Sequence, residues 1–141
     1  MAVDQVRGRA VLNARLALCA AIIAAGLVLR GFGPGLGLPA GLVKYGGSIL
    51  WGAMVHTLVA ITAHGVPRRT VAGTAMLIAV GVELFRLHHT PWLDSFRLTP
   101  AGALLLGRVF SPWNILAYGC GILLGAMLDP GSPGRTIRDP A

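Results

Sequence analysis

Fourteen consecutive residues, 16–29, carry no polar side chain, and arginines bound them at Arg15 and Arg30. With its flank from residue 11 the run approaches the ~20 residues a helix needs to cross hydrocarbon. Similar runs follow at 42–63, 71–87 and 112–128. A chain built this way lacks the polar surface of a water-soluble globule. Of its 141 residues 55% are hydrophobic, a further 20 are glycine and 12% are charged, against about 25% charged in an ordinary soluble domain. Disorder is excluded by the same figures, since disordered chains are poor in apolar residues. Lipid offers no hydrogen-bond partner to exposed backbone, and the runs lack the alternation of barrel strands. The fold class implied is an all-α integral membrane protein of four transmembrane helices.

Breaker residues divide the runs. Glycine and proline crowd 31–41, which reads as a loop. A basic turn occupies 64–70, and a polar, aromatic connector 88–100. The apolar stretch 101–110 is too short to span and reads as an interfacial or re-entrant helix opened by Pro100. The domain plan is a basic N-terminus over 1–10, one transmembrane domain over 11–128 and a disordered tail over 129–141. The N-terminus imitates a signal peptide, but the further runs make the first a retained helix. Cys19 and Cys120 lie inside apolar runs and read as small hydrophobes.

The formal net charge of +7 would suggest nucleic acid in a soluble protein. Here the basic residues flank apolar runs, which fits topology and anionic lipid head groups instead. The expected partner is the lipid bilayer, and no nucleic acid. Four spans place both termini on one side. Seven of the twelve basic residues (Arg7, Arg9, Arg15, Arg68, Arg69, Arg135 and Arg138) fall there, which favours cytoplasmic termini.

Few polar groups sit within the runs. His56 lies near the middle of the second, where a neutral ring facing other helices is expected. An interhelical hydrogen bond is the plain role for it; proton handling or ligand binding is the alternative. Glu83 lies about one turn inside the end of the third run, and Arg86 follows on the same helical face. Asp94 and Arg97 come shortly after. These four charges are either a structural lock or a polar pocket closed by the half-helix. No metal-ligand spacing, nucleophile elbow or phosphate loop is present, so no cofactor is expected. Ala117, Gly121 and Gly125, at intervals of four, form a small-residue stripe for helix packing, within the bundle or against a second copy.

The stretch KYGGSILWGAMV (44–55), then ELFRL (83–87), PWLDSFR (91–97), residues 107–110 and NILAYG (114–119) resemble, in order, a small bacterial membrane family, domain-of-unknown-function family 2809. The likeness runs over about 10–128. It implies a four-span protein of the bacterial inner membrane without an assigned reaction. The pattern is also distantly similar to the VanZ-like family. Members of the first family often carry Asp where this chain has Asn114 and Gln where it has Arg86, so here Arg86 gives Glu83 a partner.

Three functions follow as expectations. The leading one is a non-enzymatic helical bundle. Its polar cluster of Glu83, Arg86, Asp94, Arg97 and Asn114 orders the connector or binds an envelope or lipid-linked ligand, or a protein partner. The alternative is a small proton-coupled exporter acting as a homodimer; the built-in counter-ion Arg86 speaks against it. The third is a membrane enzyme on lipid-linked substrates with Asp94 or His88 as acid/base.

Overall fold

Proline marks where most of the helices begin. The computed structural model describes residues 2–63, 65–106 and 110–131. It opens with α1 (Ala2–Phe32). Pro39 and Pro67 are the N-caps of α2 (Ala40–Thr62) and α3 (Arg68–Phe85). Pro91, Pro100 and Pro112 are the first residues of α4 (Pro91–Leu98), α5 (Pro100–Leu105) and α6 (Pro112–Leu128). At these positions the missing amide hydrogen costs nothing and the fixed φ suits a helix. The Thr99 hydroxyl caps α5 by accepting from the Gly102 amide at 3.1 Å. Gly37, at φ +75°, turns the chain between α1 and α2.

Three boundaries differ from the sequence reading. α1 runs back through the basic N-terminal segment and forward over Gly31 and Phe32. A helix already thirty residues long absorbs the cost of about 1 kcal/mol for one glycine. The connector is not irregular, because α4 occupies most of it. Leu93 and Arg97 bury one face of this short helix, and a spacing of four among polar neighbours conceals that face in sequence. α3 stops at Phe85 rather than residue 87. α6 has the bounds read from sequence. The disorder expected of the tail falls, beyond Gly131, outside the described residues, as do residues 107–109 of the half-helix.

The described fold is all-helical. By length and composition two helices are able to cross a membrane: α1 from Val3 onward, and α2. α6 is apolar but has 17 residues, and α3 carries Arg68, Arg69 and Glu83 among its 18.

α2 is the central element, packed against α1, α3 and α6, and α3 also meets α6. Val71, Ala75, Ala79 and Glu83 form the buried face of α3. Their spacing of four keeps them in one row, and the two alanines let the backbones approach. On α6 the buried face is Asn114, Ala117, Tyr118, Gly121, Ile122 and Gly125. A Cβ on Gly121 would strike the Ile49 carbonyl, and one on Gly52 would meet the Tyr118 backbone. The small-residue stripe of α6 is therefore occupied by α2 of the same chain, which leaves it no room for a second copy.

Polar side chains are enclosed beside the apolar core while large apolar ones lie outside. His56 and Glu83 are fully enclosed, whereas Leu77 is 76% and Met127 82% exposed.

Candidate functional site

Glu83 ends the buried row of α3 and so projects at the first turns of α6. Its Oε1 accepts the Ser111 amide at 2.7 Å and the Asn114 side-chain amide at 3.2 Å. Its Oε2 accepts the Tyr118 hydroxyl at 2.9 Å and the Arg86 guanidinium. Both oxygens thus have two donors each, drawn from α3, α6 and the segment leading into α6. Ser111 is the N-cap of α6, so the carboxylate also lies at the positive end of that helix dipole. Arg86 reaches the other way and donates through Nε to the Leu106 carbonyl, just past α5. Its guanidinium carbon stands 5.9 Å from the Tyr118 ring centre, and Trp51 packs on the same ring at 4.9 Å. Asn114 turns its oxygen to the Ser48 hydroxyl of α2 at 3.4 Å. One carboxylate therefore joins α3, α6 and, through its neighbours, α2 and the end of α5.

The four charges expected to gather near Glu83 divide into two groups. Arg97 is buried under α4, where it donates to the carbonyls of Phe85 and His88, each at 2.8 Å, and to Asp94 at 3.2 Å. Its guanidinium also lies over the Phe85 ring. Asp94 is half exposed and meets His89, not His88, at 3.2 Å. Glu83, Arg86 and Asn114 come together; Asp94 and Arg97 instead fasten α4 to the end of α3. His56 is fully buried beside Gly125. Neither of its ring nitrogens bonds a described residue, so the expected interhelical hydrogen bond is not among those described.

Sequence reading missed Tyr118 and Ser111. Tyr118 had a signal, since it follows Asn114 by four and shares its face of α6. Ser111 acts through its backbone, which no side-chain pattern reveals. A second polar site was missed entirely. At the opposite end of the bundle Asp129, just past α6, takes two hydrogen bonds from Arg15 of α1, at 2.8 and 3.0 Å. Arg15 also bonds the Ala60 carbonyl of α2, and Arg68 of α3 bonds the Asp129 carbonyl at 3.0 Å. Asp129 thus ties α1 and α3 to the end of α6, and Arg15 adds α2.

Burial works to raise the Asp129 carboxyl. The Arg15 hydrogen bonds and charge, the Gly131 amide and Arg68 outweigh it, and the value lies below the ordinary carboxylate range. A depressed folded value stabilises fully above the unfolded value of about 3.9 and is lost as pH falls through the folded one. Asp129→Asn is expected to cost about 3 kcal/mol at neutral pH, by leaving Arg15 unpaired in a largely buried setting. Melting followed from pH 7 to pH 3 should show the gap between variant and wild type closing at the acid end.

Between α1 and α2 runs a cleft of about 90 Å³. Ile22, Leu27, Trp51 and Met54 line its walls. Arg30, Lys44 and Ser48 line its upper part, and Arg86 and Tyr118 also contribute. The Glu83 network thus forms part of its floor.

No solved structure matches this chain. A family profile matches residues 38–122, a narrower span than the resemblance over 10–128. The matched span holds α2 to α5 and the greater part of α6. It includes every residue of the Glu83 network and leaves out Arg15 and Asp129. With most of its length matched, the chain belongs to the family described as protein of unknown function, DUF2809.

Proposed function

We infer that this chain is a four-span protein of the bacterial inner membrane with both termini in the cytoplasm. It is a non-catalytic bundle whose Glu83 lock orders the α4–α5 connector beside a ligand-binding cleft. The observation that carries this reading is the fully enclosed Glu83 carboxylate with four donors, three from α6 and its N-cap and one from Arg86 at the end of α3. A carboxyl group with a built-in counter-ion and no exposed oxygen suits fixing a shape. A proton-coupled exporter needs an acid that exchanges protons with the aqueous phase, and Glu83 has no open face. Support for the membrane setting comes from the enclosed polar groups and the many large apolar side chains left exposed. α3 and α6 pass as shorter spans in a bundle whose polar residues face inward.

Glu83→Gln separates the two functions. A lock loses melting temperature, while an exporter stays folded and loses coupled transport in vesicles. Topology has its own test. In a chain with Cys19 and Cys120 replaced by alanine, Leu36→Cys between α1 and α2 should react with a membrane-impermeant maleimide in spheroplasts. Val66→Cys between α2 and α3 should react only after lysis. The reverse order would place the termini outside.

A further inference from the structure

α4 lies at the edge of the bundle. Among the described residues its backbone packs on α5 and on none of the long helices. The Arg97 side chain ties it to the end of α3 through the carbonyls of Phe85 and His88. Its eight residues rise about 12 Å, too little to cross hydrocarbon. Around this short helix the side chains fall into three sectors. Leu93 and Arg97 form the buried one. At about 100° per residue, Trp92 and Phe96 share a sector about 100° from it, and Asp94 with Ser95 is centred about 130° from either. Trp92 is 71% exposed, and Phe96 and Ser95 are exposed as well. Leu98, the last residue, is exposed on the polar side. One flank on protein, one aromatic and one polar is the pattern of a helix lying in the plane of a membrane–water boundary.

A second exposed indole stands at the same level. Trp113 is the second residue of α6 and is 65% exposed. It follows Ser111, whose amide bonds Glu83 near the end of α3, so Trp92 and Trp113 share one end of the bundle. The third tryptophan, Trp51, packs instead on Tyr118. An indole has an apolar body and one N–H donor, and such rings collect at the head-group level of a bilayer.

We propose that α4 is an interfacial anchor, a helix lying in the head-group boundary of the bilayer at the Glu83 end of the bundle. Trp92 and Phe96 enter the upper acyl region, Asp94 and Ser95 face water, and Trp113 marks the same depth on α6. A protein partner on α4 would leave the exposed Trp113 of another helix without a reason; the lipid boundary accounts for both. This rests on the membrane reading above and fixes the depth at which the Glu83 lock sits.

Tryptophan fluorescence reads the depth. Trp51→Phe with Trp113→Phe leaves Trp92, and Trp51→Phe with Trp92→Phe leaves Trp113. Each full-length variant is reconstituted in vesicles of phosphatidylcholine brominated either near the head of its chains or near their ends. Both residues should be quenched at least about twofold more by the shallow bromine. Suppose Trp113 behaves so but Trp92 is quenched by aqueous acrylamide and by neither lipid. That would overturn the proposal and leave the membrane reading standing. A Trp92 shielded from acrylamide and lipid alike, beside the same Trp113, would overturn it in favour of a protein cover. Stronger quenching of either residue by deep bromine would overturn it too. No quenching of either by any brominated lipid would remove the membrane reading and the proposal together. A second measurement spares the tryptophans. In a chain with Cys19 and Cys120 replaced by alanine, Ser95→Cys should react with an impermeant maleimide in lysed membranes several-fold faster than Phe96→Cys. Equal rates would overturn the division of α4 into a water face and a lipid face.

Discussion

Glu83→Ala should lower stability by about 3–5 kcal/mol, the cost of leaving a buried charge without its partner. In detergent this corresponds to a fall in melting temperature of about 10 °C or more. The size follows from what the deletion strands. Arg86 is 8% exposed and would keep its charge with no carboxylate to answer it. The Ser111 amide, the Asn114 amide and the Tyr118 hydroxyl would each lose an acceptor. Glu83→Gln preserves volume and should cost less, about 2–3 kcal/mol. Turned one way its amide nitrogen opposes the Ser111 and Asn114 N–H donors; turned the other it opposes the Arg86 guanidinium, while the Tyr118 hydroxyl can rotate and accept. Tyr118→Phe removes one hydrogen bond to a charged group, worth about 1.5–3 kcal/mol. Melting curves of the three variants should rank Ala, then Gln, then the tyrosine change, from most to least damaging.

Gly121→Ala should be nearly as severe. Its Cβ would collide with the Ile49 carbonyl and lie 2.9 Å from the Ala53 amide nitrogen. Both are backbone atoms of α2, so no side chain can swing aside. Relief requires α2 and α6 to separate, and that also opens the Glu83 network, whose donors Asn114 and Tyr118 ride on α6. The cost should reach the top of the overpacking range, about 3 kcal/mol. Gly73→Ala and Gly119→Ala are the controls. An added Cβ meets open space at both, so each should gain about 0.5–1 kcal/mol from helix propensity. Thermal melting of the three variants checks the contrast. Equal effects would mean that α2 and α6 are not in close contact.

What the sequence discloses about this molecule follows the reach of each physical signal. Proline and apolar length are local, and they place the starts of α2, α3, α5 and α6 to within a few residues. α4 was hidden because its eight residues carry an amphipathic row too short to stand out among polar and aromatic neighbours. For the site, charge scarcity was the useful signal. Glu83 and Arg86 stand out in a chain with five acidic residues, and their spacing puts them on one helical face. Scarcity cannot say which distant charge belongs to which. It grouped Asp94 and Arg97 with Glu83 because they are near in sequence, yet they fasten α4 instead. It also passed over Arg15 and Asp129, which are 114 positions apart and meet only because α1 and α6 both pack on α2. The interhelical pairing that makes the site was the part no local pattern could carry.

The lock is tested most directly by a double-mutant cycle on Glu83 and Arg86. Glu83→Gln, Arg86→Gln and the double variant are melted beside wild type in one detergent. The predicted result is early melting of both single variants, with a coupling of at least about 1 kcal/mol, so that the double variant is less damaged than the sum. Near-wild-type melting of all three would contradict a lock at Glu83.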